Sequence, residues 1–278
     1  MWVTETTEDR QSLARRATEL ARAAMPGVDV EIFWDGMWIR RVGSDYFPDP
    51  DMFRLPGTNV PNWARWAGQA QKYLHNAEDY WFHLYRPQAG DTIVDIGAGR
   101  GEDVFAFSRA VGPTGRVWAI EPHPVSFAVL TRLCELNRLA NVTALNCACM
   151  DRAEKMQIET LPVWESNYVR PGAPSPKSCT VESVRFDDLC EQHGIGRIDF
   201  LKMNIEGAER RALQGCERAL GRARFVSIAA HDFRAARGEG EEFRTLDFVK
   251  QFLAGAGFRI IIRDDPRYYV PYHVHGVR

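Results

Sequence analysis

Ile93-Val94-Asp95-Ile96-Gly97-Ala98-Gly99-Arg100-Gly101 is the stretch from which the rest of the chain can be read. An apolar run carries a carboxylate, Asp95, and ends in glycines at alternate positions, Gly97, Gly99 and Gly101. This is a buried strand feeding a loop with little side-chain bulk, where a flat ligand can lie against backbone. The dinucleotide fingerprint requires its third glycine three positions after the second. Counted from Gly97 and Gly99, that position holds Glu102. A pyrophosphate is attracted to a helix N-terminus with free N–H groups. Asp95 and Glu102 would repel it and suit a ligand with positive charge. A nicotinamide-dependent oxidoreductase stays open as the competing enzyme class.

Outward from this loop the pattern alternates. Strands are predicted at 92–96, 116–121, 142–147, 198–203 and 224–230, and helices at 101–111, 124–139, 206–219 and 242–255. Short apolar runs separated by helical patterns imply βαβ units, a parallel sheet and right-handed crossovers. Two strand-like runs close the chain, Phe258–Arg263 and Tyr268–Val274, joined by Asp264-Asp265-Pro266. So short a link makes them an antiparallel pair at the sheet edge. Residues 161–178, with four prolines, read as a surface loop or lid.

Before the loop, residues 8–24 read as an amphipathic helix. Val28–Ile32 and Met37–Val42 flank Asp35-Gly36, a type I′ hairpin signal. Residues 43–62 read as an irregular linker. Residues 63–85 read as helical, with Trp63, Trp66, Tyr73, Tyr80, Trp81, Phe82 and Tyr85 packing mainly as core rather than as pocket. The expected division is an N-terminal α+β extension, 1–88, covering the active site, and an α/β domain, 89–278.

With 278 residues, a formal net charge of −2 and 45% hydrophobic residues, the chain is an ordinary globular sequence without a basic field. Nucleic acid is a poor default partner. No apolar run is long enough to cross a bilayer, so no membrane partner is expected. The acidic N-terminus lacks the regions of a signal peptide, which points to a cytoplasmic protein. The six cysteines contain no CxxC pair. Cys147 and Cys149 without a second pair nearby do not make a zinc site.

Four further segments carry chemistry. Glu121 ends the second strand twenty residues after Gly101, followed by Pro122. A carboxylate there can accept hydrogen bonds from both ribose hydroxyls of an adenosine. After the third strand, Cys149 and Met150 fall where the turn faces an adenine edge, within reach by backbone N–H and soft apolar surface. Ile198–Glu209 runs from a strand into a turn bearing Asn204, Glu206 and Gly207, with Lys202 inside the apolar strand. A lysine so placed pairs with a carboxylate. The next strand ends in His231-Asp232. Asn204, Glu206, His231 and Asp232 should converge on the reacting side of the cleft, because ligands sit outside the carboxyl ends of such strands.

The acid-x-Gly-x-Gly-x-Gly pattern resembles the first motif of class I S-adenosylmethionine (SAM) methyltransferases. DTIVDIGAGRGED, VWAIEPHP, TVESVRFDDL and IDFLKMNIEGAERRAL, in this order, resemble the FkbM family of methyltransferases over roughly residues 80–275. The resemblance implies a Rossmann-like, seven-stranded, mostly parallel sheet with one antiparallel edge strand. It implies SAM as cofactor and methyl transfer to a small-molecule acceptor, most often at a hydroxyl oxygen. SAM has no phosphate but a sulfonium, an ammonium and a carboxylate, which agrees with the acidic loop. The cofactor residues become Asp95, Gly97, Ala98, Gly99, Gly101, Glu102, Glu121, Pro122, Cys149, Met150 and Asn204. The catalytic candidates are His231, Glu206, Asn204 and Lys202. The family usually has Asp where this chain has Asn204. An amide would weaken a base or metal ligand there and would suffice for a hydrogen bond.

A hydroxyl nucleophile must lose its proton. His231 is the first candidate base, since imidazole titrates near neutrality, and Glu206 is the second. A divalent cation held by Glu206, His231 and Asp232 is a lesser alternative, and no metal is assigned. N-methylation, SAM binding without transfer, and a homo-oligomeric assembly stay open.

Overall fold

The computed structural model of the chain describes residues 7–50, 74–161 and 167–278. At the N-terminus, α1 (Thr7–Ala24) lays Ala14, Ala17 and Ala21 against β1 (Val30–Trp34) and β2 (Trp38–Val42), and β3 (Asp45–Asp49) completes an antiparallel sheet. The small side chains at helical spacing let helix and sheet approach closely. The hairpin differs from the expected type I′ turn. Trp34 pairs with Trp38, leaving three loop residues, and only Gly36 has a positive φ, +73°. Type I′ needs positive φ at two successive residues. The predicted linker also begins with a strand. Asp45–Asp49 pairs with β2 because Tyr46 and Phe47 have a surface to dock on. Asn137 exchanges two hydrogen bonds with the Tyr46 backbone, and Phe47 meets Phe105 edge-on at 5.1 Å. Residues 51–62 of that linker, and Trp63, Trp66 and Tyr73, lie outside the described residues.

Helical residues 74–79 (α2) lead to a 3₁₀ turn at Trp81–His83. Here the aromatics are core. Trp81 and Phe82 are buried, Trp81 stacks on His273 with ring centroids 5.0 Å apart, and Tyr85 stacks on Phe225 at 3.9 Å.

The main sheet uses β4 (Thr92–Ile96), β5 (Arg116–Ile120) and β6 (Val142–Leu145), with α3 (Glu102–Val111) and α4 (Pro124–Leu136) as crossovers. The chain then leaves it. β7 (Ala148–Cys149), β8 (Glu154–Glu159), β9 (Val169–Arg170) and β10 (Ser178–Val184) form a second sheet in the order β7-β10-β8-β9. Sequence reading assigns no strand to 154–159 or 178–184 and extends the third strand to 147. Each strand holds only two alternating apolar residues, Met156 and Ile158 in one and Cys179 and Val181 in the other, and their pairing is mutual, with Ser178 opposite Glu159 and Ser183 opposite Glu154.

The chain returns through α5 (Phe186–His193) to β11 (Ile198–Met203), α6 (Glu209–Gln214), α7 (Glu217–Leu220) and β12 (Ala223–Ala229). The helix predicted at 206–219 starts late and is broken. Glu206 and Gly207 have φ of +55° and +101°, and Gly215 packs so tightly that a Cβ would sit 2.0 Å from the Met150 carbonyl. After α8 (Asp232–Ala236) and α9 (Leu246–Gly255) come β13 (Arg259–Ile262) and β14 (His273–Val277). The sheet order is β13-β14-β12-β11-β4-β5-β6. The terminal antiparallel pair stands at the edge as expected. Within it the antiparallel strand, β14, is one place in, between β12 and β13. The connection is longer than predicted, 263–272, and this lets β14 reach past β13 to β12. Among the described residues no helix is long and apolar enough to cross a membrane.

Candidate active site

The carboxyl ends of β4, β5 and β11 open on one cleft. Its floor is the glycine loop. Gly97 turns at φ +84°, where a Cβ would lie 2.0 Å from the Asn204 carbonyl oxygen, so β4 and β11 meet only because the residue has no side chain. The loop N–H groups are spent internally. Gly97 and Ala98 donate to the Ile120 carbonyl, Gly101 to that of Ala98, and Gly99 to Glu121 Oε2 at 2.8 Å. A loop whose amides are already paired does not cradle a pyrophosphate.

Glu121 forms the next wall. Its Oε1 accepts from the His123 N–H at 2.8 Å, so both oxygens are fixed by backbone. Burial outweighs these two donors and pushes its carboxyl up to about 7. Asn146 donates to the carbonyls of Glu121 and Pro122 and holds the turn. Pro122, His123, Ser126, Cys147, Ala148, Cys149 and Met150 continue the wall. The Met150 N–H, expected to face an adenine, donates instead to the Val184 carbonyl at 2.8 Å. His123 escaped sequence reading. Burial and then Arg100 lower its pKa, so the ring is neutral. Its Nδ1 accepts from the Ser126 N–H, and its buried Nε2 has no partner among the described residues. The signal available was His123-Pro124 at a helix start, where a side-chain cap belongs.

Two residues expected to touch cofactor stand behind this surface. Asp95 is fully buried and does not line the cleft. Lys202 Nζ approaches its Oδ1 at 2.7 Å, lies 3.6 Å from Asp103 Oδ2 and donates to the Gly97 carbonyl at 2.8 Å. Burial pushes the Asp95 carboxyl up to about 6, although Lys202 opposes the rise. Burial would lower Lys202, but two carboxylates hold it as an ammonium with its pKa raised. Lys202 thus finds the carboxylate that its sequence position required and is committed to fixing the loop. Gly101, at φ +92°, caps α3 where a Cβ would lie 2.9 Å from Leu130, so its smallness serves packing. Glu102, at the start of α3, does line the cleft.

The opposite wall comes from the turn after β11. The Asn204 backbone N–H donates to the Ile96 carbonyl, and its side-chain amide lines the cleft without a hydrogen-bond partner among the described residues. Glu206 also lines it, with Oε1 3.0 Å from His231 Nε2 and Oε2 accepting from Arg234 at 2.8 Å. His231 lies behind Glu206, 2% exposed, with Nδ1 2.8 Å from Glu209 Oε1. Its burial favours the neutral ring, yet the two glutamates prevail and raise it to about 10. Both ring nitrogens face carboxylate oxygens, and His231 is not among the described residues lining the cleft. Asp232 turns away to cap α9, accepting from the Thr245 and Leu246 N–H groups. Among the described residues no cluster of three metal-type ligands occurs. Asn167 and Val169, from the predicted lid, line this side. No described residue before Ile96 lines the cleft, and residues 51–73 of the expected cover lie outside the described residues.

The chain belongs to the FkbM methyltransferase family, whose methyltransferase FkbM domain matches residues 95–260. It is an enzyme that uses SAM as methyl donor. It is 28% identical over 234 residues to a 31-O-demethyl-FK506 methyltransferase FkbM of Streptomyces tacrolimicus, across 72% of this chain and 86% of that one. It is 24% identical over 186 residues to the 2-O-methyltransferase NoeI of Sinorhizobium fredii (strain NBRC 101917 / NGR234), across 60% of this chain and 74% of that protein. Among solved structures it resembles a methyltransferase FkbM from Methylobacillus flagellatus KT, with a TM-score of 0.50 and 19% identity over 76% of this chain. The chain spans about half, 51%, of that crystallised chain.

Proposed function

We propose that the enzyme methylates a hydroxyl oxygen of a small molecule or sugar-containing metabolite. The observation that supports this is a single cleft with Glu121 and the glycine loop on one side and the Asn204 amide and Glu206 carboxylate on the other. The relatives named above point the same way, since both names specify an O-methyltransferase.

The residues present fit SAM. Glu121 is held by two backbone donors and keeps lone pairs for a ribose diol. The unpartnered His123 Nε2 offers a donor beside it. Gly97, Ala98, Gly99, Glu102 and Lys202 line the surface below, while buried Asp95 holds Lys202 from behind. Bound SAM supplies an electrophilic methyl carbon whose bond to sulfur breaks as the bond to the acceptor oxygen forms. The Asn204 amide orients the acceptor, and a free lone pair of Glu206 takes the hydroxyl proton. Alignment of this kind can supply several kcal/mol of the barrier. Both Glu206 oxygens are already engaged, Oε1 by His231 and Oε2 by Arg234, which favours one second reading, methylation of a neutral amine that needs less help.

The test pairs binding with product. Calorimetry with S-adenosylhomocysteine should give micromolar affinity. Methyl-labelled SAM should label polyol and glycoside acceptors and leave matched amines unlabelled. Labelled amines alone would replace the first reading by the second, and an absence of binding would sink both.

A further inference from the structure

We infer that His231 is a positioning residue, a doubly donating imidazolium that, together with Arg234, clamps the Glu206 carboxylate in the cleft wall. What the clamped carboxylate does rests on the reading above. The clamp itself rests on geometry.

Both ring nitrogens of His231 face carboxylate oxygens, Nδ1 at 2.8 Å from Glu209 and Nε2 at 3.0 Å from Glu206. A neutral imidazole has one donor and one acceptor nitrogen. Either neutral tautomer would set a lone pair against an oxygen, unless a glutamate carried the proton. Neither is placed to do so. Glu209 is fully buried, and its oxygens also accept from the Gly207 N–H at 3.1 Å and from the Thr245 hydroxyl at 3.0 Å. Burial raises its pKa, but His231 and the backbone N–H groups of Gly207 and of Glu209 itself lower it further, so it stays ionised. Glu206 accepts from the Arg234 guanidinium at 2.8 Å. The proton therefore belongs to the ring. Other charged groups near His231 act the same way or point elsewhere. Asp232 caps α9, Glu239 binds Arg234 Nε at 2.7 Å, and buried His273 is neutral, pushed down to about 3 by burial and by neighbouring cations including His231.

The backbone gives the clamp a purpose. Glu206 is one of two non-glycine residues with positive φ among those described, at +55°, and such strain persists where surroundings over-determine it. His231 holds Oε1 and Arg234 holds Oε2, so neither oxygen can rotate out of the cleft without breaking a charge-assisted bond. Arg234 also lies over Phe243, 4.0 Å from the ring centroid, and 5.4 Å from that of Tyr168, between Asn167 and Val169 of the cleft wall. The clamp thus ties Glu206 to the β8–β10 region.

Histidine 15N NMR of the full chain with S-adenosylhomocysteine, the His231 ring signals assigned by through-bond correlation to its backbone, tests this. Both nitrogens should remain protonated from about pH 6 to about pH 9. A neutral tautomer in that range overturns the inference and needs no stable variant. A crystal structure of His231→Gln with S-adenosylhomocysteine should show Glu206 displaced from the wall, with the homocysteine compound bound within about threefold of wild type. An undisplaced Glu206 overturns the clamp. Failure of wild type to bind S-adenosylhomocysteine would instead count against the proposed function, leaving the ring's protonation to be read on its own.

Discussion

Replacing Glu121 by Gln should strengthen the fold while weakening cofactor binding, and the two effects separate by pH. Glu121 is 6% exposed and its carboxyl is raised to about 7, against about 4.5 in the unfolded chain. Between those values the folded state binds more protons than the unfolded one, so stability falls as pH rises, by about 1.4 kcal/mol per unit for one proton. From about pH 5 to about pH 8 the wild type thereby loses about 2.5 kcal/mol that the Glu121→Gln variant does not lose. A constant cost opposes the gain. An amide side chain has one acceptor oxygen, so either the Gly99 or the His123 N–H loses its partner, at about 1–3 kcal/mol. The informative quantity is therefore the slope of the stability difference, measured by urea unfolding without cofactor across that pH range. Binding should move the other way. Losing charge-assisted bonds to a ribose diol costs about 2.7 kcal/mol, roughly 100-fold in Kd for S-adenosylhomocysteine. Wild-type affinity should also fall as pH drops below about 7, where Glu121 takes up its proton. A stability difference flat within about 0.5 kcal/mol would refute the desolvated carboxylate, and unchanged affinity would refute its ligand role.

Lys202→Met should destabilise the chain by about 3–5 kcal/mol, since Asp95 is left buried without its cation, and adding Asp95→Asn should restore much of the loss in urea unfolding. If the double variant is no better than the single one, the pair is not the source of the cost. Gly97→Ala should cost more than about 3 kcal/mol, because its Cβ meets the Asn204 carbonyl at 2.0 Å in a left-handed backbone; a variant with wild-type unfolding would mean β4 and β11 can separate freely. Burial raises Cys147 to about 11 and Cys149 well above the ordinary thiol value. Both should react with a thiol disulfide reagent at about pH 8 at least tenfold more slowly than in the unfolded chain, although they line the cleft, and equal rates would contradict that burial.

Much of the glycine-loop side of the cleft was legible because it is local. The run from Ile93 to Gly101 sets a strand and a loop by apolar continuity and missing side chains, and Glu121 lies at a fixed interval from it along one βαβ unit. Gly97 reads as room for a ligand, and its space also serves the approach of Asn204. The sheet β7-β10-β8-β9 was not legible, because its strands stabilise one another through partners up to 35 residues apart and each carries at most two alternating apolar residues. Its Asn167 and Val169 end in the cleft wall for that reason.

Sequence alone determined the alternating α/β order, the acidic glycine loop, Glu121, and the need of Lys202 for a carboxylate, since each follows from neighbours in the chain or from the cost of burying a charge. Tertiary structure decided which groups face the ligand and in what protonation state. Asp95 stands behind the loop and pairs with Lys202, and Lys202 and Glu206 both line the cleft. Glu209, read only as part of a motif, lies against His231 Nδ1 and raises the pKa of the ring. A side chain's charge in a buried site depends on what is packed within hydrogen-bond reach, and residues 206, 209 and 231 meet only when β11 and β12 pair side by side.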